Sequence, residues 1–186
     1  MRAYLLPVLV LIAAGVAGCS SSTTTTYISG DSSTNDITIH NGIIAVHAPD
    51  RADADITAAG DLSISGTSVT VTDAQRDLLK HYYSTALALR DHGIATGNAG
   101  IATAGKAISS VASGLISGNT DKIDGEVNAS AAKVEAQVAL ICTDLAGLRS
   151  TQETLAAQLP AFQPYAVIKT NDANDCQRDV RDHHRT

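Results

Sequence analysis

The sequence predicts an α+β domain: an antiparallel five-stranded meander covered by three helices, the last one long. Three observations carry that expectation. Between Ile37 and Val71, apolar residues alternate with mostly polar ones in five short runs. Turn dipeptides separate the runs. Then Thr72-Asp73-Ala74-Gln75 forms a capping box, and the apolar period changes from two residues to three or four.

The five runs are Ile37 and Ile39, Ile44 and Val46, Ala54 and Ile56, Leu62 and Ile64, and Val69 and Val71. Each is the signature of a strand with one buried face. Asn41-Gly42 is the strongest short hairpin signal; Pro49-Asp50, Gly60-Asp61 and Gly66-Thr67 supply the other breaks. A sheet with one apolar face needs a cover.

The cover is expected from three helices. The first runs from the capping box to about Arg90, with Leu78, Leu79, Tyr82, Ala86 and Leu89 as its stripe, and Gly93 breaks it. The second, from about Ile94 to Ser117, places Ile94, Ile101, Ile108 and Leu115 seven apart beside Gly93, Gly100, Ala107 and Gly114. Such a small-residue row suits a close helix contact, and Gly100→Leu is then expected to destabilise while Lys106→Ala does little. Membrane helices also associate through such rows, but Asn98, Lys106 and several serines argue against a span. Gly118-Asn119 stops this helix and Thr120 caps the third, which runs to about Leu159 with Val127, Val134, Val138, Ile141, Leu145, Leu148, Leu155 and Leu159 as its stripe. Pro160 ends it. Tyr165–Ile168 is a short strand candidate, and residues 178–186 read as a charged flexible tail.

The N-terminus carries the address. Arg2 precedes an apolar stretch from about Leu5 to Val16, too short for a bilayer that needs roughly 20 residues. Val16-Ala17-Gly18-Cys19 then reads as a lipobox, with residues 1–18 a signal peptide and Cys19 the lipidated residue. An ordinary signal with an incidental cysteine is the alternative. Residues 19–35, rich in Ser and Thr, read as a tether, although Tyr27 and Ile28 could dock on the domain, which is assigned to 36–177. Ser20 after the cysteine favours the periplasmic face of the outer membrane under the enterobacterial sorting rule.

Charge and cysteines narrow the rest. The chain carries a net charge of −6, which becomes −7 once Arg2 leaves with the signal, and it has no Trp and one Phe. Without a basic run or stacking aromatics, nucleic acid is excluded as a partner. Lipidation of Cys19 leaves Cys142 and Cys176, an even remainder that in an oxidising compartment reads as one disulfide. Two buried free thiols are the alternative.

No motif carries chemistry. Gly100-Ile101-Ala102-Thr103-Ala104-Gly105-Lys106-Ala107 nearly matches a phosphate-binding loop, but Ala107 lacks the magnesium-binding hydroxyl and a helix, not a strand, precedes it. Ser130-Ala131-Ala132-Lys133 with Lys169-Thr170-Asn171 echoes penicillin-recognising enzymes, yet Ser130 falls about ten residues inside a helix and no SDN follows. The six histidines, among them His40, His47 and the tail pair His183-His184, do not sit at metal-ligand spacing. Asp50, Asp53, Asp55 and Asp61 could gather calcium, but Asp53 and Asp55 alternate with Ala54 and Ile56 as the solvated face of a strand must.

Gly60-Asp61-Leu62-Ser63-Ile64-Ser65-Gly66, running into Ala74-Gln75-Arg76-Asp77-Leu78-Leu79 and Tyr82, resembles the YggN-like family of Gram-negative envelope proteins of unknown function. The Gly-rich helix and Leu159-Pro160-Ala161-Phe162-Gln163-Pro164-Tyr165 between the two cysteines are also similar to that family. The resemblance covers about residues 36–177, implies the fold and an envelope location, and brings no catalytic residues.

The expectation is therefore a lipoprotein that is not an enzyme and takes no cofactor or metal. It is held on the membrane through Cys19 and serves to bind an envelope protein or maintain the envelope. A second reading is a carrier of a small apolar or lipid ligand, with the Gly/Ala-rich helix lining a groove against the sheet. A third is an envelope hydrolase.

Overall fold

The computed structural model describes residues 26–28, 37–117 and 121–183; the side chains of 26–28, 103, 105–117, 121–124, 126, 127 and 183 are outside the description. The signal peptide, Cys19, most of the tether and the Thr120 cap lie outside the described residues. The element order is β1 (Thr26–Ile28), β2 (Ile37–His40), β3 (Ile43–Val46), β4 (Ala54–Thr57), β5 (Leu62–Ile64), β6 (Thr67–Val69), α1 (Asp73–Ser117), α2 (Asp121–Gln158), a 3₁₀ helix (Pro160–Tyr165) and α3 (Thr170–His183).

The five expected strands form an antiparallel meander as β2–β6, and β1 adds a sixth at the edge beside β2. Asn41 and Gly42 both take positive φ, as do Ser65 and Gly66. Two-residue turns of that kind match the twist of the strands they join. They set the register, His40 opposite Ile43 and Ile64 opposite Thr67. One face carries Ile37, Ile39, Ile44, Val46, Ala54, Ile56 and Leu62, all buried. Each of these but Ala54 stabilises by roughly 1.5–3 kcal/mol when removed from water.

The cover comes from the first part of α1, the last part of α2 and the 3₁₀ helix. Leu79, Tyr82, Ala86 and Leu89 meet Leu148, Leu155 and Leu159 over the sheet, with Phe162 and Tyr165 closing the core. The capping box forms as expected: Thr72 N–H donates to Gln75 Oε1 (2.9 Å) and Gln75 N–H to Thr72 Oγ1 (3.3 Å). Gln75 Nε2 also donates to the Gln158 carbonyl at 2.7 Å, so one side chain ties the start of α1 to the end of α2.

Two turns show how α1 crosses the sheet. Gly60, in the β4–β5 turn, has φ +76°, and a Cβ there would stand 2.5 Å from the Arg76 carbonyl oxygen. Only glycine allows that approach. Seven residues along α1, the Tyr83 hydroxyl donates to the Gly42 carbonyl in the β2–β3 turn at 2.9 Å. The two turns lie two strand spacings apart, about 10 Å, and seven helical residues rise about 10 Å. The helix thus runs across the strands, from the β5 side toward the β1 edge.

Four expectations are corrected. Gly93 does not end a helix; the expected first and second helices are one, α1, of 45 residues. A helix-interior glycine costs only about 1 kcal/mol, and no proline or competing cap follows it. Gly93 and Gly100 make no close contact either: among the described residues a Cβ at Gly93, Gly97 or Gly100 would meet nothing within 4 Å, while Ala107 and Gly114 of the row lie outside the described side chains. Nor is Tyr165–Ile168 a strand. Tyr165 ends the 3₁₀ helix, and Gln152, almost fully buried, takes the place of a neighbouring strand by pairing both ways with Ile168. Its Oε1 accepts from Ile168 N–H at 3.1 Å, and its Nε2 donates to the Ile168 carbonyl. The segment expected as a charged tail is helical as far as His183, in α3.

Candidate functional site: an open face on a two-helix arm

Past Leu89, α1 leaves the core. From His92 to Ser117 it continues for roughly 37 Å, and α2 returns antiparallel from Asp121. His92 and Asp144 mark the base of this arm, with His92 Nδ1 2.6 Å from Asp144 Oδ2 across the two helices. Cys142 and Cys176 form a disulfide beside it, with Cα atoms 5.5 Å apart, joining α2 to α3. Of the two alternatives left by the sequence, the disulfide is the one observed.

Among its described residues the arm leaves three large apolar side chains open. Ile94 is 47 % exposed and Ile101 74 %, with Leu140 on α2 at 43 %. Two helices alone lack a third layer against which to bury such side chains. Gly93, Gly97 and Gly100 lie beside the two isoleucines with open space over them. Charge is as uneven as burial. The chain holds 19 acidic residues, yet none falls between His92 and Thr120, where Lys106 is the only formal charge. Among the described residues no helix is long and apolar enough to cross a membrane.

A second constellation lies on the outer face of the sheet. Thr38 Oγ1 stands 2.9 Å from His47 Nε2, and His47 Nδ1 2.6 Å from Asp53 Oδ1. With the carboxylate accepting from Nδ1–H, Nε2 is left to accept from the threonine hydroxyl. That is the order of groups in a nucleophile–base–acid relay. The sequence contained the signal. An Asn41-Gly42 two-residue turn pairs 38 with 45, which sets His47 diagonally across from Thr38 on one face. Reading the histidines by metal spacing alone missed it. Thr38 is 9 % exposed on the inner strand β2, flanked by β1 and β3. The chain of contacts closes the loop between β3 and β4 by holding its two ends, His47 and Asp53.

The remaining sequence candidates do not converge. Ser130 and Lys133 are inside α2, more than two turns from its start, and the Gly100–Ala107 segment is within α1. Asp61 pairs with Arg76 and accepts from Thr57, while Asp53 is taken by His47. No group of three His, Cys, Asp or Glu side chains gathers to hold a metal among the described residues. His40 is exposed, and the side chains of His183 and His184 lie outside the description. In the core, burial pushes the Tyr82 phenol above its usual pKa, and its hydroxyl has no hydrogen-bond partner among the described residues. It packs edge-on to Phe162 with centroids 5.8 Å apart.

Comparison with curated proteins gives no match, and comparison with solved structures gives none. Residues 32–122, which take in β2–β6, α1 and the first two residues of α2, match the family model described as a protein of unknown function (DUF2884).

Proposed function

We propose that this protein is a non-enzymatic lipoprotein of the bacterial envelope that works by contact. Cys19 would hold it on a membrane, and the arm would present a docking face. The open apolar face of α1 beyond His92 carries this reading: Ile94 and Ile101 are exposed next to glycines with nothing over them. Ile94 and Ile101, seven residues apart, share a face of α1, and an apolar patch held open on a folded domain marks an interaction site. The resemblance to YggN-like envelope proteins and the lipobox support the location, at the periplasmic face of the outer membrane.

Neither competing reading gains from the geometry. A carrier was expected to line a groove between the Gly-rich helix and the sheet, but that part of α1 lies beyond the sheet, and Gly93, Gly97 and Gly100 face open space. A hydrolase would draw on Thr38, His47 and Asp53. Its nucleophile would be a hydroxyl nearly closed off between two strands, without an activating amine.

Photo-crosslinking in intact cells tests the contact reading. A photoreactive side chain replacing Ile101 is expected to give a discrete adduct, with the same probe at exposed Ala157 giving none. Equal labelling from both positions would end the docking reading. Cys19→Ser should leave uncleaved precursor; normal cleavage with loss from membranes would mean an ordinary signal.

A further inference from the structure

Where the arm points, relative to where the chain is anchored, suggests what covers it. The first described residue, Thr26, pairs with Ile39 at the strand end that leads into the Asn41-Gly42 turn. This is the end where Tyr83 of α1 meets Gly42. Helix α1 crosses the sheet toward the edge that β1 forms, so the arm and the N-terminal segment leave the molecule at one corner. Six residues, 20–25, separate Cys19 from Thr26. Fully extended, that link reaches at most about 25 Å, whereas the arm extends roughly 37 Å. A domain held on so short a link keeps its β1 corner, and the root of the arm, beside the membrane.

Charge agrees with that placement. A protein of net charge −7 is repelled by an anionic lipid surface, and repulsion acts over about a Debye length, roughly 8 Å. The stretch from His92 to Thr120, with Lys106 as its one charge, is the longest acid-free run after Cys19 and can approach closely. It also exposes Ile94 and Ile101. We infer that the α1 limb of the arm lies in the interface of the membrane that holds Cys19, with Ile94 and Ile101 inserted among the lipids. It does not span, since no described helix is apolar enough to do so. Two isoleucines alone would bind lipid weakly. The anchor removes that difficulty by holding the arm at high effective concentration beside the surface. The inference rests on the lipoprotein reading above and names the occupant of the docking face.

The absence of tryptophan makes the test direct. Full-length lipidated protein carrying Ile101→Trp would be reconstituted in vesicles of phosphatidylethanolamine with a minority of phosphatidylglycerol, with and without brominated acyl chains. The expected result is a blue-shifted emission quenched severalfold more than that of Ala157→Trp. Adding Ile94→Asp to the Ile101→Trp protein should abolish the excess quenching while the protein stays with the vesicles. Quenching no greater than at position 157 overturns the inference. So does a blue shift without quenching, which would mean that a second copy or another protein surface covers the face. In either case a discrete protein adduct from position 101 in cells would leave the contact reading standing, whereas no adduct of any kind would remove both.

Discussion

The same pair of helices behaves in two ways along its length. Over the sheet, α1 and α2 bury Leu79, Tyr82, Ala86, Leu89, Leu148 and Leu155 almost completely. Beyond His92 and Asp144 they leave Ile94, Ile101 and Leu140 open to solvent. Helix geometry does not change at that point; what ends is the third layer. A helix pair buries one stripe per helix only when a sheet or a third helix covers it, and the sheet stops at β1. Stability therefore belongs to one half of the hairpin and exposed apolar surface to the other.

That contrast can be broken most sharply by paired truncations. Phe162 is fully buried between Tyr82 and Tyr165, so Phe162→Ala should cost about 3–5 kcal/mol in urea unfolding. Ile101→Ala should stay within about 0.5 kcal/mol of the wild type. A large loss at Ile101 would mean that the arm is packed in solution.

The disulfide comes next. Cys142–Cys176 closes a loop with a sequence separation of 34, for which chain entropy gives about 3–4 kcal/mol. Cys142→Ser should destabilise by that order, and amide exchange should speed up first in α3, where Ala173 is the one buried side chain among the described residues. Unchanged exchange in α3 would show that packing alone holds it.

At Gly60 the sheet and α1 meet through backbone. Gly60→Ala has to place a Cβ at positive φ against the Arg76 carbonyl, and a thermal melt should report a loss of about 2 kcal/mol. Tyr82→Phe removes a buried hydroxyl that has no partner among the described residues and should leave stability unchanged or raise it by up to about 1 kcal/mol. A clear loss would reveal a hydrogen-bonded water at that hydroxyl.

Much of the sheet was legible in the sequence because its signals are local. Asn41-Gly42 fixes a turn, the turn fixes a register, and alternation fixes the buried face. The capping box was legible for the same reason, with Thr72 and Gln75 three residues apart. What escaped depends on distant partners. Gln152 replaces a strand for Ile168 across 16 residues, and Tyr165 reaches the Ala52 carbonyl across 113. No periodicity announces such pairs. The Thr38–His47–Asp53 chain lies between these cases, legible once the hairpin register is followed past its last paired residue. The small-residue row was misread because heptad spacing shows which residues share a face, not whether anything stands opposite.

Gly100 carries the smallest effect and the sharpest sign. Were its face packed, a larger side chain would push backbones apart at a cost of about 1–3 kcal/mol. No described residue lies within 4 Å of a Cβ there, so the packing penalty vanishes and helix propensity alone remains. Alanine is favoured over glycine in a helix interior by up to about 1 kcal/mol, and leucine nearly as much. Gly100→Ala and Gly100→Leu should therefore both raise the melting temperature of the isolated protein slightly, in the same direction and by similar amounts. A gain for alanine paired with a loss for leucine would place a neighbour just beyond the reach of a Cβ. The open face of the arm would then be filled in solution by protein, and the division between a packed half and an exposed half would fail.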